Sequence, residues 1–296
     1  MSQTPRYTYT DENGDLWFKE ALEPALGQSF KIEELIYADE SEHQHILLFR
    51  HAIMGKVLVI DGLVQVTNGD EFIYHEMVTH VPLLAHGAAK SVLVVGGGDG
   101  GVMRELQRHD SVERIVLVEI DGDVIKFSKQ WMPEVSNGSF DDPRVEVVIE
   151  DGVKFMAETN EQFDVIIIDS SDPVGPSAVL FTREFYASCK ARLNAGGILV
   201  TQNGIPFMHP DPVRSSSASF KALFDHHGMY QITVPGFAGG PMALGFATDN
   251  PAVFSPELSD LETRFAKLGG PFRYYNPRVH LGAFGLPSYF ADLISS

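Results

Sequence analysis

From Ser91 onward the chain alternates between short apolar runs and stretches of amphipathic, helix-like spacing. The apolar runs are Ser91–Val95, Arg114–Glu119, Arg144–Glu150, Phe163–Asp169 and Ile198–Gln202. Between them Val102–His109, Asp123–Trp131, Val153–Thr159 and Thr182–Leu193 read as helices, the last ended by Ala195-Gly196-Gly197. Strands apolar along their whole length, alternating with helices, predict a parallel sheet covered on both faces. A helix over Val213–His226 follows, and then strands Tyr230–Val234 and Met242–Thr248 with no helix between them. Those two are expected to form an antiparallel hairpin at one edge. Upstream the pattern is shorter and β-like, in Phe30–Tyr37, His45–Arg50, Lys56–Ile60 and Leu63–Thr67. Asp61-Gly62 supplies a two-residue type I′ turn, whose central positions both want positive φ. Asp70 to about Ala85 predicts a helix, and residues 1–14 read as a polar, frayed tail. The expected division is a β-strand domain over 1–69 and an α/β domain over 70–296. A small β domain exposes strand edges that need covering, which favours a homo-oligomer.

Composition narrows the function classes. With 296 residues, 44% of them hydrophobic, the chain can bury a sizeable core. No apolar run approaches the ~20 residues of a membrane helix, and Met1–Gly14 is unlike a signal peptide. Against 22 Lys and Arg stand 40 Asp and Glu, a net charge of −18. That field opposes nucleic acid, whose binding is driven by basic surface, and attracts small cations; it also serves solubility alone. The single cysteine, Cys189, excludes an internal disulfide and a cysteine-based zinc site and suits a reducing cytoplasm.

Ligands of open α/β sheets bind beyond the carboxyl ends of the strands. Here four consecutive strand ends carry acids: Asp99, Glu119, the Glu150-Asp151-Gly152 turn, and Asp169 with Asp172. The first loop, Gly96-Gly97-Gly98-Asp99-Gly100-Gly101, satisfies G-x-G-x-x-G, which could indicate a dinucleotide or simply a tight turn. Asp99 argues against the dinucleotide. A carboxylate a few Å from a pyrophosphate repels it by roughly 1–4 kcal/mol at effective dielectrics of 80 to 20. A nucleoside without phosphate fits better: Glu119 holds the ribose hydroxyls, Asp99 meets a cationic tail, and Asp151 lies near the adenine, as for an S-adenosyl sulfonium compound. In Asp169-Ser170-Ser171-Asp172-Pro173-Val174-Gly175-Pro176 two prolines and a glycine stiffen a loop that projects two carboxylates. A carboxylate there can deprotonate an alkylamine, which is no nucleophile while protonated. His75 and His80 flank Glu76 in HEMVTH, but a spacing of five turns the second side chain ~140° from the first, so no metal site is expected.

Several of these motifs together resemble one family. The run Asp61–Gln65 with Asp70–Met77, then GGGDGG, Glu119-Ile120-Asp121, Glu150-Asp151-Gly152 and DSSDPVGP are similar to the polyamine aminopropyltransferases, among them the bacterial spermidine synthases. The likeness runs from about Trp17 to Tyr274-Tyr275-Asn276-Pro277 and His280. It implies a seven-stranded, methyltransferase-like Rossmann domain beside a small β-rich N-terminal domain. It implies an aminopropyl transfer from decarboxylated S-adenosylmethionine, a co-substrate, to putrescine or another amine such as cadaverine or spermidine, with no further cofactor. Asp169 matches the family's proton acceptor. Gln44, Asp99, Glu119, Asp151, Gly152 and Pro176 match its nucleoside and donor contacts. Trp17, Gln65, Tyr74, His75, Asp99, Asp169 and Asp172 match its amine contacts, and Phe237 is expected as a further amine contact in a segment that departs from the pattern. Many spermidine synthases carry Pro-Thr-Tyr where this chain has Pro235-Gly236-Phe237. The expected protein is a cytoplasmic homodimer or homotetramer acting on cationic small molecules, with no nucleic-acid or membrane partner. A methyltransferase, an NAD oxidoreductase and a non-catalytic polyamine binder are the competing readings; Asp99 counts against the first two, and the presence of both DSSD aspartates against the third.

Overall fold

The computed structural model describes residues 5–20, 26–40, 45–171 and 175–295, with backbone alone at 40, 175 and 176. These residues fall into two compact units, one spanning Met1–Phe72 with Val234–Ala238, the other Ile73–Thr233 with Gly239–Ser296.

Among its described residues the first unit holds two antiparallel sheets. One contains β1 (Thr8–Thr10), β2 (Leu16–Lys19) and β3 (Ser29–Lys31). The other is ordered β4 (Glu34–Glu40), β5 (His45–His51), β6 (Gly55–Ile60) and β7 (Leu63–Thr67). The expected tail is therefore a strand at 8–10. Its pairing is fixed by Asp11, whose carboxylate accepts from the amides of Asn13 and Asp15 and from the Trp17 indole, closing the β1–β2 turn. The single strand expected over Phe30–Tyr37 is two, one in each sheet. Between them Ile32 turns its side chain into the core, and the amides of Ile32 and Glu33 bond to Leu16 and Arg50. Asp61 and Gly62 have φ of 51° and 84°, the conformation that a type I′ turn requires. The core gathers Phe18, Phe30, Ile32, Leu47, Phe49, Val57, Val59 and Val64, with Phe237 packed against it. Val234–Ala238 thus groups with the first unit, not with the 70–296 domain expected from the order of the chain.

Helix α1 (Glu71–His86) leads into the second unit. There β8 (Ser91–Gly96), α2 (Gly101–Leu106), β9 (Arg114–Glu119), α3 (Gly122–Trp131), α4 (Pro133–Ser136), β10 (Val145–Ile149), α5 (Gly152–Glu158), β11 (Phe163–Asp169), α6 (Arg183–Ala191), β12 (Leu193–Gln202), α7 (Pro210–Leu223), β13 (His226–Ile232) and β14 (Met242–Thr248) follow. Among the described residues four helices follow: α8 (Pro251–Phe254), α9 (Leu258–Phe265), α10 (Pro277–Ala283) and α11 (Ser288–Ser295). The sheet order is β10-β9-β8-β11-β12-β14-β13, parallel except where β14 pairs with β12 and β13. This is the seven-stranded, methyltransferase-like Rossmann arrangement. The central strands are apolar on both faces, and Val92–Val95, Ile115–Val118 and Val165–Ile168 are all buried, as helices on both sides require. Helix α7 starts and stops three residues before the expected bounds. Pro210 suits a first turn, having no N–H to leave unpaired, and His226 is drawn into the ladder opposite Thr248. The strand order reverses between β8 and β11, the place beyond whose carboxyl ends ligands of open α/β sheets bind.

Candidate active site

The reversal point brings together the loop after β8, the end of β11 and the first turns of α1. Gly96 is level with Asp169 in the ladder, and its φ of 83° lets the backbone turn away there. A side chain at Gly96 would lie 2.1 Å from the Asp169 carbonyl. Glycines at 97 and 98 likewise leave room for carboxylates, since a Cβ would come within 2.7 Å of Asp169 Oδ2 and 2.9 Å of Glu119 Oε2 respectively.

Four polar side chains converge. The Tyr74 hydroxyl donates to Asp169 Oδ1 at 2.6 Å. His75 Nε2 lies 3.2 Å from Asp99 Oδ2, with the His75 side chain almost wholly buried. Asp99 Oδ1 accepts from the Gly101 amide at 2.7 Å, so this carboxylate also shapes the start of α2. The His75 ring occupies the space a Cβ at Gly101 would fill, 2.3 Å from the nearest ring atom. Gly101 has no positive φ, so its glycine is explained by the ring. Ser170 Oγ, buried next in sequence to Asp169, has no hydrogen-bond partner among the described residues.

The electrostatics separate the two aspartates. Burial, reinforced by the neighbouring Asp99 charge, pushes the Asp169 carboxyl up to about 6, although His75 and the Tyr74 hydroxyl pull the other way. Burial acts on Asp99 in the same sense, but the His75 ring, the Gly101 amide and the Arg104 charge overcome it and hold Asp99 below the usual carboxylate range. Burial raises the Tyr74 phenol well above its ordinary value, with the Asp169 charge adding to it, so Tyr74 is a donor. Asp169 is thus the carboxylate of the pair with the greater affinity for a proton.

Along the same edge, Glu119 ends β9, nine-tenths buried, and accepts from the Asp121 amide at 3.0 Å. Its burial raises its pKa, tempered by that amide. Asp151 is exposed and caps α5, its Oδ1 accepting from the amides of Val153 and Lys154 at 2.7 and 3.3 Å. Gly152 follows, where a Cβ would meet Val95 Cγ1 at 2.5 Å. The backbone of Pro176 lies in the 3₁₀ segment Gly175–Phe181. Gln44 and Asp172 lie outside the described residues.

Three of the expected amine contacts belong to the first unit. Trp17 in β2 donates to Asp11 at 3.0 Å, Gln65 in β7 donates to the Leu63 carbonyl at 3.3 Å, and Phe237 is half-buried against the Phe18–Phe49 core. The histidines of HEMVTH part as their spacing requires. His75 faces Asp99, whereas His80 lies between His109 Nε2 and Glu105 Oε2, at 2.9 and 3.0 Å. Burial lowers the pKa of His80 and, further, of His109; Glu105 is driven well down despite its own burial by the His80 bond and the charges around it. Among the described residues no group of three His, Cys, Asp or Glu side chains is placed to hold a metal ion. No helix is long and apolar enough to cross a membrane among them.

Comparison with known proteins gives matches along the chain. Residues 71–256 match the family model of the spermine/spermidine synthase domain, and residues 16–68 that of the spermidine synthase tetramerisation domain. A polyamine aminopropyltransferase of Pseudomonas aeruginosa is 50% identical over 277 residues, covering 94% of this chain and 97% of the relative. A polyamine aminopropyltransferase of a Ruegeria species is 49% identical, covering 94% and 98%. A spermidine synthase solved in complex with the transition-state analogue AdoDATO superposes with a TM-score of 0.89 at 33% identity, covering 100% of this chain and 99% of that one.

Proposed function

The chain belongs to the spermine/spermidine synthase family, and from that premise we propose that it transfers the aminopropyl group of decarboxylated S-adenosylmethionine to putrescine, giving spermidine and 5′-methylthioadenosine. The observation that carries this reading is the constellation of two part-buried carboxylates, Asp169 and Asp99, against buried Tyr74 and His75 at the sheet's reversal point. The amine nitrogen attacks the aminopropyl CH₂ bonded to sulfur. As the new C–N bond forms the C–S bond breaks, its electron pair neutralises the sulfonium, and methylthioadenosine leaves. The proton shed by the nitrogen goes to Asp169. A carboxyl near 6 is mostly ionised at neutral pH, yet takes a proton more readily than an ordinary carboxylate. The Tyr74 hydroxyl fixes one oxygen of that base and leaves Oδ2 for the amine. Holding the two cations in line supplies much of the acceleration, an effect worth ~7–11 kcal/mol when geometry is good.

In this reading Glu119 takes the ribose hydroxyls, and Gln44, Asp151, Gly152 and Pro176 hold the nucleoside. Asp99 takes the ammonium of the aminopropyl tail. Trp17, Gln65, Tyr74, His75, Asp172 and Phe237 receive the amine. The match of 16–68 to a tetramerisation domain supports a homo-oligomer, a dimer or tetramer, and the cytoplasm is its proposed location. The purified protein given decarboxylated S-adenosylmethionine and putrescine is expected to release methylthioadenosine and spermidine in equal amounts. Release of S-adenosylhomocysteine from undecarboxylated donor instead would make it a methyltransferase and sink the proposal.

A further inference from the structure

Asp70, the residue before α1, is buried, and both its oxygens are engaged within the first unit. Oδ1 accepts from the Thr67 hydroxyl at 2.6 Å, and Oδ2 accepts from the Gly236 amide at 2.5 Å. The carbonyl of the same glycine accepts from Gln28 Nε2 at 2.6 Å. One residue of a tight turn, closed by the Phe237 amide on the Val234 carbonyl at 3.0 Å, is therefore gripped at both main-chain polar groups by side chains more than 160 positions away in sequence. Gly236 has no left-handed φ to explain it. Space does: a Cβ there would lie 2.9 Å from Asp70 Oδ2 and 3.1 Å from Thr67 Cγ2. A carboxylate bonded to a buried amide is a strong contact, and a side chain at 236 pushes that carboxylate aside.

We propose that Asp70 and Gln28 are positioning residues for the amine-selecting segment Pro235–Phe237. They hold Gly236 by its main chain and so set where the Phe237 ring stands, and Gly236 is the residue that lets the carboxylate reach. This rests on the reading that Phe237 contacts the acceptor amine. The clamp touches no reacting atom, so its effect falls on amine binding and leaves the chemical step alone.

The test uses the full-length protein and variants Asp70→Asn, Gly236→Ala and Gln28→Leu, with initial rates measured against amine and donor in turn. Each variant is expected to raise KM for putrescine by about tenfold, the loss of one charge-assisted or buried hydrogen bond. The donor KM and kcat should stay within about twofold, as for an interaction made outside the transition state. The double variant Asp70→Asn, Gly236→Ala is expected to be no worse than the poorer single one, since both break one contact. Gln28 is only half-buried, so its variant remains informative if the others misfold. An unmoved putrescine KM, or donor and amine KM rising together with a fall in melting temperature, makes these residues merely structural and overturns the clamp. Absence of methylthioadenosine from the unaltered protein removes the functional reading beneath it, a result distinct from turnover with an unmoved KM.

Discussion

At the residue scale, Asp169 holds a negative charge where burial and Asp99 both resist it. The sign of its effect on stability follows. A carboxyl whose folded pKa of about 6 exceeds the ordinary value of 3.8 binds its proton more tightly when folded. Its cost is absent below 3.8, grows as pH rises, and is complete above 6. Asp169→Asn is therefore expected to melt higher than the unaltered protein at pH 7.5, by on the order of 1–3 kcal/mol, with the advantage vanishing near pH 4. The same variant should lose about 10²–10⁴-fold in kcat, the usual worth of a general base. Near-normal turnover, or a lower melting temperature at pH 7.5, would remove Asp169 from that role. In the proposed reading Asp99 has the opposite task, its depressed pKa keeping it charged to meet a cation. Calorimetric titration should find decarboxylated S-adenosylmethionine bound much more tightly than the undecarboxylated form, and Asp99→Asn should narrow the gap; equal affinities in the unaltered protein would contradict this. Both aspartates are legible in the sequence because strand-end acids are local signals. The Tyr74–Asp169 bond joins residues 95 positions apart, and only the resemblance to a family pointed to that tyrosine.

At the scale of elements, hydrophobic period placed β7, β9, β11 and β14 to the residue, since each is bounded by turn chemistry or by a change of period. It failed where tertiary pairing decides. Nothing local separates β3 from β4, whose break exists because each strand has its own sheet to join. Polar Thr8–Thr10 becomes a strand only by lying against β2. The segment 234–238 was legible as a departure from the family pattern, but not as part of the N-terminal unit, because its hold on Asp70 and Gln28 spans most of the chain. That hold changes how acceptor choice should be probed. Restoring threonine at 236 would displace Asp70, so the discriminating change is Phe237→Tyr alone. On the proposed reading Phe237 leaves the acceptor site without the tyrosine hydroxyl that many spermidine synthases carry there, a contact worth ~0.5–1.5 kcal/mol, while an apolar wall discriminates by only ~1–3 kcal/mol per methylene. The unaltered protein is expected to use putrescine and to accept cadaverine or spermidine at appreciable kcat/KM. Phe237→Tyr should shift the ratio toward putrescine by about 2- to 10-fold. Ratios that do not move would show that this segment does not select the amine.

At the scale of the whole molecule, the net charge of −18 and the charge of the substrates belong to one argument. The proposed donor and acceptor are both cations and repel each other in the ground state. The acids at the strand ends offset that repulsion locally, and the acidic surface raises the concentration of both at the protein. The local term acts at contact distance among part-buried groups and is weakly screened, whereas the surface term is screened over a Debye length, from about 20 Å at 0.02 M salt to about 6 Å at 0.3 M. Raising sodium chloride across that range should therefore raise KM for putrescine and for the donor several-fold while kcat holds nearly constant. Methylthioadenosine, the proposed product, is neutral and on this reading takes the same nucleoside site, so its inhibition constant is the internal control and should stay flat. If product inhibition weakens in step with the two KM values, salt is acting on the site itself, and the long-range acidic field does not draw the substrates in.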